Sequence, residues 1–267
     1  NVCEMDVITR NFFRLILSDY LEEQDPIEPM SAFKWQRLFQ MVHTQHVEAS
    51  ASKGIARYRE DEMMNIPQEL TEDLAAYMLP LQQAQLSNPF LNYRRKIIIF
   101  SGRHAINTNI EAVELLKIIV NNVSLMLNKG IMLGGLIQLG SYLRTKGDKV
   151  DFVKLEQWLS KLHIRRMAQL QGSMLMAAFQ FEQAELPFVK HVESSAYKLV
   201  MRSVHHTVND TAEEWHFRPG KAGFLQNNSS LLRRNLRRSL CYIVYAPLET
   251  VSNFFHNFVR SLQEIEE

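Results

Sequence analysis

The chain predicts a mostly α-helical fold, a multi-helix bundle with at most a short strand near residues 96–100. Two observations carry this. Apolar residues recur at three- and four-residue spacing over most of the length. Glycine and proline are scarce, ten and eight in 267 residues, so a turn-rich β architecture lacks its punctuation. Breaks in the spacing divide the chain into an N-terminal helical region (1–85), a central helical bundle (86–217) and a basic C-terminal helical segment (218–267).

"ITRNFFRLILSDYLEEQ" places Phe12, Leu15, Ile16 and Tyr20 on one helical face, and Pro26 and Pro29 then break the chain. Ser31 suits the N-cap of a second helix, where Trp35, Leu38, Phe39, Val42 and His46 keep helical spacing. A third helix is expected after Pro67, with Leu70, Leu74, Tyr77 and Met78 inward, ending before Pro80. "LSNPFLNYRRKIIIF" is irregular at first, and its "KIIIF" fits a strand or a buried helix equally. From Asn109 the helical signal is strong, burying Val113, Leu116, Ile119, Val120, Val123 and Leu127, with Gly130 suited to a left-handed position after the last turn. "IMLGGLIQLGSYLRTKG" reads as a core helix ending at Gly147. Its Gly134, Gly135 and Gly140 weaken a helix unless another backbone packs close. Phe152, Leu155, Leu159 and Leu162 make the next stripe, and Met167, Leu170, Met174, Leu175 and Phe179 a further one that Pro187 stops. Periodicity then fades, "KAGFLQNNSS" reads as a loop, and a basic, aromatic helical segment closes the chain.

Net charge is +1, so any attraction to nucleic acid or a membrane must come from a local cluster. Two cysteines, Cys3 and Cys241, cannot build a secreted disulfide framework, and neither lies in a pattern that marks a nucleophile. No signal peptide is visible and "GIMLGGLIQLG" is too short to span a bilayer, so a cytoplasmic protein without a transmembrane segment is expected.

Carboxylates decide whether an enzyme is expected. "KGDKVDFVKLEQWL" holds Asp148 and Asp151, spaced so that a strand would send them to opposite faces. The helical period that follows makes Asp151 an N-cap instead. His43 and His46 with Glu48, and the run His205, His206, Asp210, Glu213, Glu214 and His216, hold metal-capable side chains. Both lack the supporting pattern of a ligand set and read as polar surface or helix face. Ser173 lacks the strained turn of a hydrolase nucleophile. No catalytic and no metal residue is assigned.

Three basic clusters remain: Arg94, Arg95 and Lys96; Lys161, Arg165 and Arg166; and Arg233, Arg234, Arg237 and Arg238. On a helix the last four pair as Arg233 with Arg237 and Arg234 with Arg238, a ridge able to grip phosphates of RNA or a nucleotide, or to rest on an anionic membrane. The plain alternative is a solvated helix edge whose arginine stems cover the core. Arg233, Arg234, Arg237, Arg238, Arg165 and Arg166 are the candidate anion-binding residues.

Several stretches, in their order over roughly residues 10–190, carry a family resemblance. They are "NFFRLIL" (11–17), "FKWQRLFQMVHTQHVEASASKGI" (33–55), "IPQEL" (66–70), "LSNPFLNYR" (86–94), "KGIMLGGLIQLGSYL" (129–143) and "DKVDFVKLEQWLSKLHIRRMAQ" with "ELPF" (148–188). Together the chain resembles the bacterial uncharacterised nucleotidyltransferase family. That resemblance implies helical N- and C-terminal parts around a metal-dependent nucleotidyltransferase core. The core's strand and its Gly-Asp-x-Asp motif have no counterpart before "NPFLNYR", and the chain contains no Asp-x-Asp. A Gly-Ser pair at Gly172-Ser173 sits in a helical pattern rather than a strand-to-helix turn. The expectation is therefore a catalytically inactive, core-deleted relative that acts as a binding protein for a protein partner. The alternatives are a functional nucleotidyltransferase using Mg2+ and a nucleoside triphosphate, with its catalytic segment outside this sequence, or a phosphate- or nucleic-acid-binding helical module. No cofactor is expected unless the first alternative holds.

Overall fold

The computed structural model describes residues 5–18, 25–58, 65–67, 71, 74, 85–104, 109–215 and 236–266. Among these residues every regular element is a helix and no strand occurs. The chain divides into two compact units, Asn1–Gln82 with Met201–Phe217, and Gln83–Val200 with Arg218–Glu267.

In the first unit, α1 (Val7–Leu17) begins at Asp6, whose side chain accepts the Thr9 N–H at 2.7 Å. Phe12, Leu15 and Ile16 are fully buried, and Tyr20 lies outside the described residues. α2 (Ala32–Gln45) follows Ser31 as expected, although the hydroxyl makes no capping bond. Trp35, Leu38, Phe39 and Val42 form its buried stripe. His46 does not extend that stripe. Its backbone turns left-handed at φ 53, the helix ends there, and the side chain is exposed. This break separates α2 from α3 (Glu48–Arg57), a helix that periodicity alone does not resolve. α3 lies directly on α1, because a Cβ at Gly54 would overlap the Leu15 carbonyl. The chain returning from Pro26 is fastened to α1 at Glu28. Asn11 exchanges two bonds with its backbone, at 2.8 and 3.0 Å. Arg10 grips its carboxylate at 2.7 and 2.8 Å, and Arg14 at 2.8 Å. The helix expected after Pro67 falls largely outside the described residues; Thr71 and Leu74 are helical, and Leu74 is buried.

In the second unit, α4 (Pro89–His104) overturns the strand alternative for residues 96–100. Asn88 accepts the Leu91 N–H at 3.0 Å, and Pro89 takes the first turn, where its missing N–H costs nothing. Nor is this stretch a buried helix: Ile98 is inside, whereas Ile97 and Phe100 face solvent. α5 (Ile110–Asn128) buries every residue of its predicted stripe, Asn109 caps it, and Gly130 has φ 102. α6 (Leu133–Lys146) packs tightly, but side chains rather than backbone approach its glycines. The Asn122 amide lies against Gly135, donating to the Gly135 carbonyl at 2.9 Å and to Gln171 Oε1 at 3.2 Å, while Gln171 donates to the Ile119 carbonyl at 3.2 Å. This polar seam joins α5 and α6 to α8. α7 (Phe152–Lys161) and α8 (Arg165–Phe179) follow, the latter burying its whole predicted stripe. α8 ends at the left-handed Gln180, φ 55, well before Pro187.

α9 (Ala196–Trp215) stands where periodicity fades. Among its described side chains the buried positions, Ala196, Val200 and Val204, form a line at four-residue intervals, too thin a stripe to announce a helix. Residues 221–230, read as a loop, and Arg233 and Arg234 lie outside the described residues. Residues 236–242 are helical, and α10 (Pro247–Glu266) begins at Pro247.

Candidate functional site

Asp148 and Asp151 are separated by their backbone. Asp151 accepts the Lys154 N–H at 3.0 Å and is the N-cap of α7. Asp148 lies exposed in the short 3-10 turn Gly147–Lys149. Asn109 ties the two helix starts together: its side chain accepts from Ala112 at 2.7 Å, donates to the Lys149 carbonyl at 3.0 Å and accepts the Asp151 N–H at 3.3 Å. Orphan amides of α5 and α7 are thus satisfied from within the fold.

His43 Nδ1 lies 3.3 Å from Glu48, across the α2–α3 break, and His46 faces elsewhere. His205 is exposed on α9; the side chains from His206 onward in that stretch lie outside the described residues. Among the described residues no three His, Cys, Asp or Glu side chains converge to hold a metal ion. Ser173 is fully buried, its hydroxyl accepting the Glu193 N–H at 3.1 Å. Gly140-Ser141, the chain's other Gly-Ser pair, lies within α6, so neither pair forms a phosphate-binding turn. Cys241 is exposed and Cys3 lies outside the described residues.

The arginines are organised by helix C-termini. Arg94 donates to the carbonyl of Lys161, last residue of α7, at 3.2 Å, and stacks over Phe90 at 4.2 Å. Arg238 donates to the carbonyl of Asn128, last residue of α5. Arg144 reaches the carbonyl of Gln180, beyond α8, at 3.4 Å and pairs with Glu185 at 2.8 Å. In the first unit Arg57 does the same for Ser18, after α1. Each cation meets carbonyls without intrahelical partners at the negative end of a helix dipole. Desolvation lowers the pKa of the half-buried Arg95, which bonds Asn92 at 3.0 Å.

These bonds also connect the clusters. Arg94 joins the first cluster to Lys161, Arg165 and Arg166 open the next helix, and Arg166 donates to the Val244 carbonyl at 3.0 Å beneath Tyr245. The second unit therefore carries a basic band from α4 across the α7–α8 junction to residues 236–245. Arg165 stands 3.8 Å from Glu156 and Arg237 is exposed. Exposed Phe90, Tyr93, Leu240 and Val244 interleave with it. A shallow groove of about 620 Å³ runs along α7, lined by Phe152, Val153, Glu156, Gln157, Ser160 and Lys161.

Sequence reasoning missed Glu249. It is 1% exposed, and its carboxylate accepts the backbone N–H groups of Ser87 and, at 3.1 Å, of Asn88. Asn253 accepts from the Ser87 hydroxyl at 2.8 Å, and Asn88 donates to Ser252 at 2.8 Å. Burial raises the Glu249 pKa, against the lowering pull of those N–H bonds. A glutamate in the first turn after a proline reads as an ordinary dipole partner, and nothing local reveals acceptor duty for a loop about 160 residues earlier in the chain. Compared with protein-family models, curated proteins and solved structures, the chain matches none.

Proposed function

We propose that this chain is a non-catalytic binding protein that meets an anionic partner through the basic band of its second unit. The observation that carries the reading is the linkage of Arg94, Lys161, Arg165, Arg166 and the 236–245 segment into one band with interleaved apolar side chains. Two carboxylates that could serve magnesium are spent otherwise. Asp151 caps a helix and Glu249 holds backbone amides. The reading agrees with a relative of the bacterial nucleotidyltransferase family that keeps the helical flanks and lacks the catalytic stretch. A two-metal transfer site holds its ions with acidic groups, whereas this band offers cations.

Two measurements test it. The purified chain, given magnesium and labelled nucleoside triphosphates, transfers no label to itself or to added RNA or protein; transfer abolished by substituting a carboxylate of this chain would overturn the reading. On a phosphate-bearing cation-exchange matrix the chain elutes at a salt concentration that falls when Arg165 and Arg237 are both changed to Glu, because the attraction is screened within about 10 Å at 0.1 M salt.

A further inference from the structure

α10 is amphipathic in the reverse sense. Among its described side chains the buried positions are polar: Glu249, Thr250 and Asn253 are each at most 3% exposed. Its opposite face presents Leu248, Val251, Phe255 and Val259, between 42% and 59% exposed. Residues 236–243 also present an apolar line, Leu236, Leu240 and Ile243, on one exposed face, while Tyr242 is buried. Scattered exposed apolar residues are ordinary, but an apolar face that continues over two consecutive helices, one of them with polar groups beneath it, is not.

We infer that this face docks on an anionic lipid bilayer, which rests on the binding role proposed above and names its partner. Charge selects that occupant. From Arg218 to Leu248 the sequence has six Lys or Arg and no Asp or Glu. Exposed Arg237 borders the Leu236–Leu240–Ile243 line, and Arg166 lies under Tyr245 beside Val244. Like charges on a second copy would repel this border. Shape agrees: the face is the outside of two helices meeting at Pro247, and it shares no residue with the groove on α7. An exposed apolar strip with basic edges suits the boundary between headgroups and acyl chains, where such helices lie in the plane of the membrane. Among the described residues no helix is long and apolar enough to cross it.

The test is flotation of the full chain with vesicles of phosphatidylcholine alone and of phosphatidylcholine mixed with phosphatidylserine. The chain should float with the mixed vesicles, far less with the neutral ones, and less as salt rises, each cation near the surface contributing about fivefold. Leu240→Glu with Phe255→Glu should weaken flotation about tenfold or more. Val153→Glu, an exposed position on α7, should leave it unchanged. Both replaced side chains are solvent-facing, and circular dichroism confirms the fold of each variant. No flotation with phosphatidylserine, equal flotation of wild type and the double variant, or self-association that the double variant abolishes would each overturn the inference. If vesicles fail while Arg165→Glu with Arg237→Glu still lowers retention on the phosphate matrix, only the lipid partner is wrong. If that retention is also unchanged, the binding role falls with it.

Discussion

Glu249 accepts the backbone N–H of Asn88 at 3.1 Å, and so fixes the start of α4 to the start of α10. Glu249 is buried and Ser87 and Asn88 are partly so, and removing the acceptor takes this partner from both amides. Glu249→Ala should cost about 1–3 kcal/mol in denaturant unfolding and speed hydrogen exchange at Asn88.

The same carboxyl gives a pH signature. Burial raises its folded pKa above the ordinary 4.5, so the folded state holds its proton more tightly than the unfolded chain. Stability contributed by the neutral form is present below 4.5 and is lost as pH climbs through the raised value. Wild type should therefore lose stability relative to Glu249→Gln as pH rises through that window. A constant difference between the two across the window would remove burial as the dominant influence.

Glu28 runs the other way. The Arg10 bond, aided by Arg14, holds its pKa down to about 2, against the raising effect of partial burial. A depressed carboxyl contributes stability above the unfolded value of 4.5 and loses it as pH falls toward 2. Acid melts of wild type should steepen across that interval, and those of Glu28→Gln should be flatter. Because the pair is exposed to solvent, added salt should narrow the gap.

Gly135 and Asn122 should be energetically coupled. A methyl at position 135 would overlap the Asn122 amide, whose Oδ1 is buried without a hydrogen-bond partner. Gly135→Ala should cost about 1–3 kcal/mol in the wild-type background, as overpacked cores do. With Asn122→Ala the space opens and the same substitution should cost less, a non-additivity of about 0.5–3 kcal/mol in a double-mutant cycle.

What sequence could reveal divides along the range of the interactions. Asn109, Asp151 and the stripe from Val113 to Leu127 are legible because their chemistry is closed within four residues. "KIIIF" is ambiguous, since four apolar residues fit either period. Its helical state depends on the Asn88–Pro89 start seven residues upstream. α9 escapes because its described side chains bury a single line, Ala196, Val200 and Val204. The basic band was legible as three clusters but not as one surface, since Arg94 meets Lys161 and Arg166 meets Val244 only after α4, α7 and α8 are packed. The outward apolar face of α10 carries the same periodicity as an inward one, so pattern alone assigns it to the core.

Asp148 and Asp151 supply the sharpest contrast between a metal reading and a helix-start reading. If Asp151 is a cap and nothing more, Asp151→Ala should cost about 1 kcal/mol, and Asp151→Asn, which keeps the acceptor, only a few tenths. Asp148→Ala, on an exposed turn, should stay within about 0.5 kcal/mol. A shared ion would behave differently: it binds the folded state alone, so magnesium would raise the melting temperature of wild type, and either alanine would erase that rise. Thermal melts of wild type and the three variants with and without magnesium should show no ion-dependent difference, because Asp151 Oδ1 holds the Lys154 amide and among the described residues no three His, Cys, Asp or Glu side chains converge.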